Sequence, residues 1–203
     1  MMRRRQWLLS AILFVLSLCF LYYSKNLFPP GRVRAAVSAL PAAPASRENI
    51  VVLANKDYYP VLKEHIRDAR KSIHGTIFLF KTTTFRDNEP ADLLHELVGA
   101  AKRKVDVNLV VELSSESREY NEANRHAAET LRKAGASVRV DNESVTTHAK
   151  VFVIDGRYCF VGSHNFTHAA MAMNQELSLL IDSPELGTKI EGFINQIPLS
   201  VKQ

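Results

Sequence analysis

Between His148 and Glu176 the chain sets an imidazole, the Lys150 ammonium, the Ser163 hydroxyl, the Asn165 amide and a carboxylate within a short stretch. Imidazole can attack phosphorus near neutral pH, while ammonium and amide groups neutralise and orient nonbridging phosphoryl oxygens. These are the parts of a phosphoryl-transfer site that needs no metal. Two apolar-rich runs, 148–154 and 157–162, flank Asp155-Gly156, a dipeptide suited to a two-residue hairpin turn. In that register paired positions sum to 311, so His148 is expected to face Ser163, and Lys150 to face Val161, unless a bulge intervenes. Strand alternation puts His148 and Lys150 on one face. Gly162 lets the backbone approach closely as the strand ends, and Glu176, on the next strand, is expected to accept a hydrogen bond from the imidazole.

The run His148-x-Lys150-x4-Asp155-x6-Gly162-Ser163-x-Asn165 resembles the complete HKD signature of the phospholipase D superfamily, and Glu176 matches the spacing of the acidic residue that family places behind its histidine. In layout the chain is similar to the single-motif, Nuc-like bacterial endonucleases of that superfamily. The resemblance implies a two-step reaction in which His148 forms a phosphohistidine, a second histidine protonates the leaving oxygen, and water completes hydrolysis. With one motif in this sequence, it implies a homodimer whose shared site lies on the twofold axis. Lys150 and Asn165 would bind phosphate with help from Ser163, Glu176 would orient His148, and Asp155 and Gly162 would support the motif. No metal and no cofactor are implied.

Other candidates carry less chemistry. His164, in the variable position between Ser163 and Asn165, is expected to line the pocket or to lie on the surface. Glu112 and the polar run Ser114 to Arg118 follow the end of a strand, where open α/β sheets place ligands; Arg118 is the residue there to test as part of a substrate loop, against a merely solvated connection. His65, His74, His95 and His126 read as structural, and Phe152, Phe160 and Phe166 as core.

The elements that must carry these residues follow from periodicity. Ile50–Leu53, Ser72–Phe80, Val105–Leu113 and Ser137–Val140 read as strands; Tyr58–Ala69, a stretch opening at Pro90, and Asn121–Lys133 read as helices. This alternation predicts an α/β domain with a mixed, largely parallel central sheet flanked by helices, the hairpin after Thr147 making it mixed, and a closing helix over Pro184–Ile197.

Ahead of this domain, Arg3, Arg4 and Arg5 precede seventeen uncharged residues, Trp7 to Tyr23, which as a helix span roughly 25 Å. We read residues 1–23 as a transmembrane signal anchor, 24–47 as a Pro- and Ala-rich linker, and 48–203 as the catalytic domain. A cleaved signal peptide, and a secreted domain, is the alternative; the A-x-A site Ala43-Pro44-Ala45 stands about twenty residues past the apolar run, farther than such peptides place it. With the arginines held inside, the domain of a bacterial protein would face the periplasm. Cys19 and Cys159 suit neither a disulfide framework nor a zinc site.

Formal charge is +5, but seven of the 26 basic residues lie in 1–47, which contain no acid; the remaining 19 face 21 acidic residues, a net −2 for the domain. A broad basic field around the domain is excluded, while a local phosphate site is not. The expected activity is a nonspecific endonuclease on DNA or RNA. A phospholipase D or cardiolipin hydrolase is the alternative, although the cysteines of the zinc-binding insertion in the mitochondrial cardiolipin-hydrolysing group are lacking. An inactive phosphate-binding module comes third.

Overall fold

The computed structural model describes residues 49–82, 88–114, 117–142 and 144–200. The chain divides into two units, Met1–Arg47 and Glu48–Gln203, and everything described belongs to the second. The expected anchor over residues 7–23 and the linker 24–47 lie outside the described residues. Among the described helices none is long and apolar enough to cross a membrane.

Seven strands form one sheet: β1 (Asn49–Ala54), β2 (Ser72–Ile77), β3 (Asp106–Val111), β4 (Ser137–Val140), β5 (Lys150–Ile154), β6 (Tyr158–Gly162) and β7 (Leu177–Asp182), in the order β1-β7-β6-β5-β2-β3-β4. The sheet is mixed, but the expectation that it is largely parallel is corrected. Among the described strands β2–β3 and β3–β4 pair in parallel, whereas β1–β7, β7–β6, β6–β5 and β5–β2 are antiparallel. The cause lies in the connections. Helices return the chain from β2 to β3 and from β3 to β4, as parallel pairing requires, while the short turn between β5 and β6 forces reversal.

Helices α1 (Tyr58–Asp68), α2 (Glu89–Lys102) and α3 (Arg118–Lys133) cover one face, and α4 (Pro184–Gln196) packs on the other. Alternation along β3 sorts the two cores: Val107, Leu109 and Val111 join Leu62, Leu97 and Leu131 on the three-helix side, and Val110 meets Val151, Ile194 and Ile197 on the α4 side. Helix starts follow their caps. The side chains of Asn88, Ser117 and Ser183 accept from the amides of Ala91, Tyr120 and Leu186. The Ser117 cap starts α3 at Arg118, three residues before the apolar period alone suggests.

The β5–β6 hairpin differs from expectation by one residue. Lys150 pairs with Gly162 and Ile154 with Tyr158, so paired positions sum to 312, and Lys150 faces Gly162, not Val161. Asp155 and Gly156 both have positive φ, 55° and 69°, and the Arg157 amide closes the turn on Ile154 O at 3.1 Å, as in a type I′ turn. Arg157 is the extra residue: its carbonyl accepts from Ser183 N and its guanidinium holds Asp182, which keeps it out of the ladder.

Asp155 nails this turn to β2. Its carboxylate accepts from the amides of Arg70, Lys71 and Ser72 at 3.1, 2.7 and 3.2 Å, and its own amide donates to Ser72 O. We expect Asp155→Ala to lower stability by about 2 kcal/mol, the usual value of hydrogen bonds to a charged acceptor, read as a lower urea midpoint at unchanged slope. Gly162 is equally constrained, because a Cβ there would lie 2.0 Å from Ser178 Oγ and 2.5 Å from Ser178 Cα. Gly162→Ala must push β7 away and should cost about 1–3 kcal/mol in the same urea melts.

Candidate active site

The carboxyl ends of the parallel strands and the open end of the hairpin lie at the same end of the sheet. Lys150, the first residue of β5, is only 4% exposed, yet its Nζ has no carboxylate within ion-pair distance among the described residues. It donates to His148 O at 2.6 Å and lies 4.9 Å from the centre of the Phe78 ring. Burial pushes the ammonium down to about 8, with Glu176 and Glu112 pulling the other way. A buried ammonium of this kind, if it stays charged, gains from an anionic partner.

His148 is exposed, two residues ahead of Lys150, with its ring 4.8 Å from that of Phe78 and no hydrogen bond to its ring nitrogens among the described residues. Partial burial and the Lys150 charge both hold its pKa below the usual imidazole range. The neutral, nucleophilic form therefore dominates at neutral pH. Across the hairpin, Ser163 is anchored to β7 in both directions: its amide donates to Leu177 O at 3.1 Å and its Oγ accepts from Leu177 N at 3.2 Å. Asn165 is followed by Phe166, whose amide donates to Leu79 O and whose carbonyl accepts from Lys81 N, so the segment is stitched to the extension of β2. Asn165 Oδ1 is buried without a donor among the described residues.

Two expectations change here. Glu176 makes no hydrogen bond to His148 among the described residues. Its carboxylate instead accepts from Ser163 Oγ and Asn174 Nδ2, while its main chain exchanges hydrogen bonds with Asn55. His164 neither lines a pocket nor lies on the surface. It is fully buried, stacked on Tyr58 with ring centres 4.2 Å apart. Its Nε2 meets Asn55 O at 2.9 Å and its Nδ1 meets Ser178 Oγ at 2.7 Å. A carbonyl can only accept, so Nε2 carries the proton, Nδ1 accepts from the serine hydroxyl, and burial keeps the ring neutral. His164 is thus a strut that ties the segment after β6 to β7 and to the residue following β1.

Arg118, the residue to test as part of a substrate loop, lies at the surface. It opens α3 with its side chain 93% exposed and paired to Glu122 on the same helix. The first turn of α3 approaches the site through Tyr120, whose ring meets Phe78 edge-on at 6.0 Å. Phe78 escaped the sequence reading because it lies far from the motif and looks like any strand aromatic. A groove of about 320 Å³ is lined by His148 together with Val145, Thr147, Phe193, Ile197 and Pro198. Among the described residues no group of three or more His, Cys, Asp or Glu is placed to hold a metal.

Residues 62–197, well over half of the chain, match the family model described as "Cardiolipin synthase, PLD-like domain". The chain is 28% identical over 172 residues to cardiolipin synthase A of Pectobacterium carotovorum, covering 82% of this chain and 33% of that protein. It is 35% identical over 126 residues to the mitochondrial cardiolipin hydrolase of Danio rerio, covering 62% and 50%. The chain thus spans a third to a half of the length of these relatives. Among solved structures, Nuc of Salmonella typhimurium, a phospholipase D family member, superposes with a TM-score of 0.62 at 24% identity over 76% of this chain and 99% of that one, a likeness of fold. A motif-bearing hairpin on this sheet, together with the match over residues 62–197, establishes that the chain belongs to the cardiolipin synthase-type, phospholipase D-like domain family.

Proposed function

We propose that this chain is a phosphodiesterase in which His148 attacks phosphorus and Lys150, Asn165 and Ser163 hold the phosphate. The observation that carries this reading is the Lys150 ammonium, nearly dry and free of any carboxylate within ion-pair distance among the described residues, beside an exposed neutral imidazole. In the first step an imidazole nitrogen bonds to phosphorus as the P–O bond to the leaving alcohol breaks. The departing oxygen takes a proton from the His148 of a second copy. In the second step that histidine, now neutral, takes a proton from water. The hydroxide equivalent displaces His148 and leaves a phosphomonoester. Exposed Met173 and Leu177, which flank Glu176, give this edge the apolar character that a second copy would cover.

For the substrate, we favour nucleic acid cut endonucleolytically. One motif and a domain matching almost the full length of Nuc support it. A second reading, a phospholipid phosphodiester, is favoured by the apolar groove beside His148 and by the −2 charge of the domain, which offers polyanionic backbones little general attraction. Anchoring at residues 7–23 would place the domain beside a membrane, and for a bacterial protein in the periplasm.

The deciding experiment incubates the purified protein, with excess chelator, in parallel with single-stranded DNA, duplex DNA, RNA and labelled phospholipid vesicles. We expect nucleic-acid cleavage that falls at least a thousandfold in His148→Ala. Cleavage of lipid alone would overturn the substrate, and activity surviving the substitution would overturn the mechanism.

A further inference from the structure

The parallel ladder between β3 and β4 sets Val111 opposite Val140, so the next residues, Glu112 and Asp141, emerge side by side. Both are buried, 3% and 0% exposed. Glu112 Oε2 accepts from the Thr147 amide at 2.6 Å, and Asp141 Oδ1 accepts from the Leu113 amide at 2.6 Å. Asn124, from α3, donates to the Glu112 carbonyl, and the Glu112 amide donates to Ile77 O, so the glutamate backbone is fixed from two further elements. Thr147 immediately precedes His148. The segment between β4 and β5 that carries the proposed nucleophile therefore meets the sheet at a hydrogen bond to a buried carboxyl.

We infer that Glu112 is a positioning residue for His148: its side chain, locked against Asp141, clamps the Thr147 amide and so sets where the imidazole stands. This role rests on the reading of His148 as the nucleophile.

The chemistry of the pair specifies the form that does this. Asp141 Oδ2 is buried with no donor among the described residues other than the neighbouring carboxyl group. Two carboxylates cannot hydrogen-bond, so the pair holds one proton. Burial and Asp141 raise Glu112 to about 8, opposed by the Thr147 amide and by Lys150. Facing Glu112 are therefore Asp141 from the end of β4 and Lys150 from β5, together with the Thr147 amide. A neutral Glu112 can accept from Thr147 N and donate to Asp141 at once, and it leaves the Lys150 charge available to phosphate. Glutamine reproduces both hydrogen bonds; leucine fills similar space and reproduces neither.

The test uses the full chain and bis(p-nitrophenyl) phosphate, a phosphodiester that is neither lipid nor nucleic acid. We expect Glu112→Gln to keep kcat within about threefold of wild type. Glu112→Leu should lower kcat at least tenfold with KM changed less than threefold. Amide hydrogen exchange supplies a reading that survives a variant that fails to fold: in the wild type, Thr147 N–H should exchange at least a hundredfold more slowly than its neighbours Thr146 and His148. A Thr147 amide as fast as those neighbours, full kcat in the leucine variant, or a glutamine variant as impaired as the leucine one would each overturn the role. Absence of turnover by the wild type would overturn the proposed function and this role together, whereas turnover unaffected by the leucine variant removes the role alone.

Discussion

A lysine ammonium held almost out of water, with a carbonyl and an aromatic ring for neighbours, is the constraint around which this domain is arranged. Burying a charge without a counterion is costly, and the cost appears as the fall of Lys150 to about 8. The fold meets that cost by immobilising what surrounds the charge. The β5–β6 turn is nailed to β2 by three amides on Asp155, the ladder runs to Lys150 opposite Gly162, and the absent side chain of Gly162 leaves room for Ser178. Ser178 in turn holds His164, and His164 holds the carbonyl of Asn55, whose amide and side chain position the backbone of Glu176. Asp155 and His164 thus support the surroundings of Lys150 without touching it.

Much of this was legible in the sequence because the hairpin is local. The six motif residues lie in or beside one turn and two strands, and Asp155-Gly156 announces the reversal. The register was misjudged by one residue because the sequence does not show that Arg157 is drawn out of the ladder by Asp182 and Ser183, partners on β7 and just beyond it. The sheet direction was misjudged for a similar reason: β1 reads as the first strand of a βαβ unit, but it pairs at the far edge with β7, a choice made by the last strand to be synthesised.

Contacts between distant segments were least legible. Phe78 and the Glu112–Asp141 pair carry no motif, and the meeting of the two carboxyls follows only from the pairing of β3 with β4. His164 illustrates the converse. Its place inside the signature suggested a pocket-lining or surface position, whereas its two ring nitrogens are both occupied by structural partners. Glu176 stands between these cases, conforming to the expected spacing while its carboxylate engages Ser163 and Asn174 within the chain.

The central claim is that His148 becomes covalently bonded to phosphorus, and it is tested most directly by rapid acid-free quenching of the protein during turnover of bis(p-nitrophenyl) phosphate, followed by mass spectrometry of its peptides. The account predicts a p-nitrophenylphosphoryl group on His148, stable in base and lost in acid. Turnover accompanied by label on a different side chain would contradict it.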